Sequence, residues 1–268
     1  MGKRVSAKTL RQRAEAGRGS GEGAEYQGLI GVRDFSSKGY SHRVWGHKSG
    51  RMHQFVSNVE LGCFYVLDWN DRVTDILDQA ALDMVETRRL ADQLGYPHPA
   101  EPGAGDVPMT TDLVAVFGNE PAGRRIAVAV KRSKDLSSRR VLEKLEIERR
   151  YWAGRDVEWQ ITTERELPPV LIANLGLLYG YRSLERYDVP REPEEVLPLL
   201  AYLYDQLNAS PQLALSRVCR AADERLKLAA GGALALVWHA VATKRWRVDL
   251  SSPLKGHLPL PALALGDR

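Results

Sequence analysis

Asp112 and Lys131 are the residues whose types and spacing bear most directly on chemistry. Asp112 sits in Thr110-Thr111-Asp112-Leu113-Val114-Ala115-Val116, and Lys131 closes Ile126-Ala127-Val128-Ala129-Val130-Lys131. Both runs are rich in small and β-branched residues, so both predict strands, and Gly118, Asn119, Pro121 and Gly123 between them predict a hairpin connection. A carboxylate on one strand and an ammonium on its neighbour then face one spot. A metal-dependent phosphodiesterase centre is assembled in this way: the carboxylate holds Mg²⁺, and the ammonium helps to activate water or neutralises phosphate. The bland alternative is an exposed ion pair across a hairpin, which the two residues taken alone slightly favour.

The elements that must position this pair follow from periodicity. Ser57 to Trp69 predicts a helix, with Val59, Cys63, Val66 and Leu67, and Phe64 beside them, as its apolar stripe. Ser57-Asn58-Val59-Glu60 has the capping-box pattern, so spacing alone makes Glu60 a cap before it makes it an acid with a catalytic task. Val73 to Ala80 predicts a strand and Glu86 to Leu94 a helix. Ser138 to Trp152 predicts a further helix whose acids mostly lie on a solvated face, and the alternation of Val157 to Thr162 predicts another strand. The resulting order is that of a mixed sheet flanked by helices, an α/β arrangement.

Pro168-Pro169 predicts a boundary between a first domain, 1–168, and a second, 169–268. Beyond it helices are expected over Glu194 to Leu207, Pro211 to Leu226 and Gly232 to Thr243, followed by a strand over Arg245 to Leu250 and a short apolar tail. Three helices and a terminal β element make this half winged-helix-like, a design that binds DNA or protein. Lys244, Arg245 and Arg247 suit phosphate contact and equally suit a charged edge strand.

Composition narrows the classes. The 268 residues are 44% hydrophobic and 27% charged, ordinary for a globular chain, with no apolar run of membrane-spanning length and no secretory signal at the start. The two cysteines, Cys63 and Cys219, are too few for a zinc-finger site and predict buried thiols in a reducing cytosol. The net charge of +4 is uneven: residues 1–53 carry 11 Lys/Arg against 4 Asp/Glu, so the rest is slightly acidic. A basic arm of this kind fits a polyanion. Within it, Ala7 to Ala16 predicts a short helix, and Gly17 to Gly23 predicts a flexible linker, since no Gly-Lys-Ser/Thr follows to make a phosphate loop. Residues 29–55 interleave basic and aromatic side chains. His42, His47 and His53 are spaced unlike common metal ligands and predict surface or DNA-facing histidines.

Taken jointly, several motifs resemble the TnsA endonuclease subunits of heteromeric cut-and-paste transposition systems. They are Arg18-Gly19-Ser20-Gly21, Ser41 to Arg51, Ser57-Asn58-Val59-Glu60-Leu61, Leu67-Asp68-Trp69, Asp75-Ile76 with Gln79, Met109-Thr110-Thr111-Asp112, Ala129-Val130-Lys131, and Leu142 to Trp152. Order and spacing agree over roughly the first two-thirds of the chain. The resemblance implies a restriction-endonuclease-like core with Glu60, Asp112 and Lys131 as catalytic residues. It implies Mg²⁺, with Mn²⁺ as a substitute, held by Glu60, Asp112, the Val130 carbonyl and Glu148. It implies nicking at the 5′ ends of a transposon, a TnsB-like transposase and a TnsC-like ATPase as partners, and a DNA-associated life in the bacterial cytoplasm without membrane contact. Arg43, Lys48 and Arg51 are then the expected contacts to double-stranded DNA. Ala129 departs from the pattern, because restriction-type cores often place an acid there and TnsA can place Gln. A non-catalytic adaptor that docks transposase and ATPase, and a stand-alone restriction-type nuclease, are the competing readings.

Overall fold

A computed structural model describes residues 5–34, 40–118 and 123–266. The chain divides into two compact units, Met1–Leu167 and Pro168–Arg268. The first contains helix α1 (Ala7–Glu15), the hairpin β1 (His42–Gly46) and β2 (Arg51–Phe55), helix α2 (Asn58–Trp69), strand β3 (Val73–Ala81) and helix α3 (Met84–Leu94). A small ribbon of β4 (Ala100–Glu101) and β5 (Gly105–Asp106) follows, then β6 (Thr110–Phe117), β7 (Arg124–Val130), α4 (Arg139–Ala153) and β8 (Glu158–Thr162). Of the connection between β6 and β7, Asn119 and Pro121 lie outside the described residues.

Four strands form one mixed sheet in the order β3-β6-β7-β8, antiparallel except for the parallel pair β7/β8. Leu77, Val114, Val116 and Ala127 pack with Leu90 and Ala91 of α3 and with Ile147, Tyr151 and Trp152 of α4. Alternate residues of the same strands, Ile76, Leu113, Ala115 and Val128, are also buried, and α2 packs across β3, β6 and β7. On α2, the Phe64 ring packs at a tilt against His53 and Phe55 of the hairpin, with 4.9 Å between ring centres in each pair. The architecture is α/β, a mixed sheet flanked by helices.

The glycine-rich arm is not the flexible linker expected from composition. Gly19 donates to Gln27 O (2.6 Å) and accepts from Ala81 N (2.8 Å), Leu29 N donates to Gln79 O (3.1 Å), and the Tyr26 hydroxyl donates to Asp78 O (2.9 Å). The arm therefore lies along the edge strand β3 and satisfies backbone groups that an open edge would leave to solvent. Gly19 is glycine for a steric reason. Its φ is +79°, and a Cβ there would sit 2.6 Å from the Ala81 Cβ.

The second unit holds helices α5 (Pro169–Tyr179), α6 (Pro193–Ala209), α7 (Leu215–Leu226) and α8 (Gly232–Ala242), and a minimal antiparallel pair β9 (Trp246–Arg247) with β10 (Ala264–Leu265). Helix α5 has no counterpart in the periodicity reading, because Val170-Leu171-Ile172 and Leu175 to Leu178 are apolar nearly all round. The strand expected over Arg245 to Leu250 stops at Arg247, and the Asp249 carboxylate instead accepts from the Ser251 and Ser252 hydroxyls and shapes a turn. Trp238 and Trp246 are buried, as are the free Cys63 and Cys219. Among the described residues no helix is long and apolar enough to cross a membrane.

Candidate active site

The β6/β7 ladder closes at the pair Leu113↔Val128, while β7/β8 pairing continues to Val130↔Thr162. Beyond that point β6 and β7 part, and the Asp112 side chain enters the notch. Its Oδ2 accepts from Val130 N (2.8 Å), taking over the role of a missing ladder carbonyl, and from Lys131 Nζ (2.6 Å). Its Oδ1 accepts from Gln79 Nε2 (3.2 Å), and Gln79 Oε1 accepts in turn from the Thr110 hydroxyl (2.9 Å). Lys131, one residue past the end of β7, also donates to the Val130 carbonyl (2.9 Å). Its ammonium thus sits between two oxygen atoms of the notch.

Glu60 approaches from the first turn of α2. The capping box forms: Ser57 Oγ accepts from Glu60 N (3.1 Å), and the Glu60 carboxylate accepts from the Ser57 hydroxyl (3.0 Å) and Val56 N (3.1 Å). The buried face of α2 is not the stripe read from the sequence, however. Val59, Val66 and Leu67 are only half-buried, and the buried side chains are Glu60, Cys63, Phe64 and Asp68. The face is turned so that it carries two acids inwards. Burial, reinforced by the Asp112 charge, pushes the Glu60 carboxyl up to about 7, against the opposing hydrogen bonds of Val56 and Ser57 and the charge of Lys131. Cys63, one turn along, feels the Asp112 and Glu60 charges too, though burial is the main cause that raises its thiol to about 12.

Glu148 enters from α4. Trp152 Nε1 donates to the Thr111 hydroxyl (2.7 Å), which donates to Glu148 Oε1 (2.7 Å). Complete burial, with Asp112 adding to it, raises this carboxyl to about 7 as well, opposed by Lys131 and Thr111. For Lys131 burial acts downwards, but the Asp112, Glu148 and Glu60 carboxylates outweigh it and hold the ammonium above its ordinary value. Four ionisable groups from four elements therefore share one electrostatic neighbourhood.

A divalent cation fits the chemistry of this neighbourhood. The donors are hard oxygens, and the Lys131 ammonium already stands between the Asp112 carboxylate and the Val130 carbonyl, where a cation is stabilised. Among the described residues, no three His, Cys, Asp or Glu side chains gather closely enough to cage an ion alone. Carbonyl, water or phosphate oxygens must complete any coordination sphere, as is usual for Mg²⁺. Ala129 is fully buried and contributes no oxygen.

The residues expected to face DNA separate into two kinds. Arg43 is exposed on β1, near the exposed Trp45 and Met52. Lys48 turns inwards, donating to the carbonyls of Asn70 and Val73. Arg51 is buried: it pairs with Asp75 (2.8 Å), donates to Gly23 O (2.6 Å) and Ile76 O (2.6 Å), and lies over the Tyr26 ring. It ties arm, hairpin and β3 together and is not a surface phosphate contact. His53 is likewise buried, between the Ser49 hydroxyl (2.7 Å) and the Asp78 carboxylate (2.8 Å), correcting its assignment to the surface. Gln79 is the residue that sequence reasoning left without a role. No side-chain pattern marks it, since Thr74, Asp75 and Asp78 are polar members of the same strand.

Two family models match the chain, the TnsA-like endonuclease N terminal over residues 70–164 and the TnsA endonuclease C terminal over residues 166–250. Asp112, Lys131 and Glu148 fall inside the first match, and Glu60 precedes it. The chain is also 34% identical over 225 residues to the transposon Tn7 transposition protein TnsA of Escherichia coli, covering 84% of this chain and 80% of that protein.

Proposed function

Given that the chain belongs to the TnsA endonuclease family, we propose that it is a divalent-metal-dependent DNA endonuclease subunit of a heteromeric transposase, nicking transposon 5′ ends in cut-and-paste transposition. The observation that carries the catalytic part is the grip on Asp112: one carboxylate held by Val130 N and Lys131 Nζ in a notch that Glu60 and Glu148 approach from opposite elements. Asp112, Glu60 and the Val130 carbonyl would hold the cation, with Glu148 as a further acid. When bound, the cation supplies Lewis-acid polarisation of the scissile phosphate.

The chain's own groups do the rest. Lys131 moves off Asp112 to orient water or to neutralise charge gathering on the phosphorus oxygens. Mg²⁺ is the proposed ion, with Mn²⁺ as a substitute. Double-stranded transposon ends, a TnsB-like transposase and a TnsC-like ATPase are the proposed partners. The helical unit, proposed to be winged-helix-like, supplies the partner contact, and Arg43 supplies a sequence-independent phosphate contact.

The test is plasmid nicking by the reconstituted complex with Mg²⁺, comparing the parent chain with Asp112→Ala. Loss of nicking is expected, and equal nicking ends the assignment. The second reading, a non-catalytic adaptor, draws on one observation: the fully buried methyl of Ala129 where a ligand is expected. Transposition retained by Lys131→Ala would favour it.

A further inference from the structure

Gln79 occupies an unusual place. It lies on β3 between Asp78, paired with Leu113, and Ala80, paired with Thr111, so it stands opposite Asp112. Its φ is +52°, a left-handed conformation within a strand. Leu77 and Ala80, three residues apart, consequently join the same core cluster, although strand residues of one face are two apart. The pairing runs on without a bulge, from Asp78↔Leu113 to Ala80↔Thr111, so the twist at Gln79 changes which side chains face that cluster and inserts no residue. The arm pins it there, through Leu29 N on Gln79 O (3.1 Å).

The side chain released by that twist is buried, and both its nitrogen and its oxygen are hydrogen-bonded. Nε2 donates to Asp112 Oδ1 (3.2 Å) and Oε1 accepts from Thr110 Oγ1 (2.9 Å). Continuing the β6/β7 register past Leu113↔Val128 places Ala129 on the other flank of Asp112. One flank thus offers a methyl and the other an amide. Strained backbone, a buried amide and a carboxylate at a proposed reaction centre coincide, the pattern expected where local strain is kept for function.

Resting on the endonuclease reading above, we propose that Gln79 is the positioning residue of the Asp112 carboxylate, itself oriented by the Thr110 hydroxyl. The amide fixes Oδ1, so that Oδ2 is presented to Val130 and Lys131 and the carboxylate is pre-set to take a divalent cation. Groups of this outer kind typically govern metal affinity by about 10- to 100-fold.

The experiment measures Mn²⁺ binding to the full chain by calorimetry, with thermal unfolding recorded in metal-free buffer. Gln79→Gly suits the left-handed backbone and removes the whole side chain, amide included. It is expected to unfold at the parent temperature or above and to bind Mn²⁺ about 10-fold or more weakly. Thr110→Val should weaken Mn²⁺ binding in the same direction, and Thr110→Ser, which keeps the hydroxyl, should restore it. Unchanged Mn²⁺ affinity in folded Gln79→Gly overturns the proposal while leaving the endonuclease reading intact, provided that Asp112→Ala abolishes binding. A parent chain that binds no Mn²⁺ overturns both.

Discussion

Lys131 Nζ lies 2.6 Å from Asp112 Oδ2 and 2.9 Å from the Val130 carbonyl, so the lysine completes the coordination of the very oxygens proposed to hold a divalent ion. Ammonium and metal compete for that position, and the lysine is available for catalysis only once displaced. Lys131→Ala should therefore leave Mn²⁺ affinity equal or higher while nicking falls by roughly 10²- to 10⁴-fold. Calorimetry beside a nicking assay separates the two effects, and parallel losses in both would contradict this division of labour.

The pH response of the metal-free chain follows from two carboxyls. Glu60 and Glu148 have folded-state values near 7 against an ordinary 4.5. Between those values the unfolded chain releases protons that the folded chain keeps, so their contribution to stability is complete below about 4.5 and is lost as pH rises through about 7. Glu148→Gln cannot ionise and keeps an oxygen for the Thr111 hydroxyl. Its melting temperature should match the parent near pH 4.5 and exceed it increasingly towards pH 8, in buffer containing chelator. An advantage that shrank with rising pH would refute the sign.

Arg43 and Arg51 should behave oppositely. Arg51→Ala leaves Asp75 buried without its partner, a loss of about 3–5 kcal/mol for a broken buried pair, seen in urea unfolding. Arg43→Ala should leave unfolding unchanged and lower DNA affinity, with the slope of log affinity against log salt smaller by about 1. Equal unfolding curves for the two variants would show that Arg51 is not a structural tie.

Gly19→Val places a branched side chain against the Ala81 backbone at a φ of +79°. Overpacking of this kind costs about 1–3 kcal/mol, and the positive φ adds to it. The measurement is the urea midpoint, with Gly21→Ala, which shares a positive φ of +85° but has open space around it, as the control for backbone strain without overpacking.

Much of this centre was legible because its residues obey local rules. Asp112 and Lys131 sit at the ends of β-branched runs and Glu60 completes a capping box, so their elements followed from pattern, whereas Glu60 as a partner of the other two followed only from the family resemblance. The rotated face of α2 did not follow, because periodicity ranks Val59 and Val66 above acids as core residues, whereas hydrogen bonds at the helix start let Glu60 turn inwards. Arg51 and His53 read as surface charge for the same reason: their partners Asp75 and Asp78 are 24 and 25 residues away, and only tertiary pairing brings them together. Gln79 was hidden because its role depends on a backbone angle that no side-chain pattern records. The arm was misread because glycine predicts freedom and close approach alike, and only the position of Ala81 distinguishes them.

The seating of residues 19–29 on the sheet margin couples assembly to chemistry. A chain stripped of that segment would lose the anchor on the carbonyl of Gln79 and expose an adhesive strand at the same moment. Damage or an ill-placed fusion near that segment should thus unsettle the proposed active site and leave a species prone to clumping.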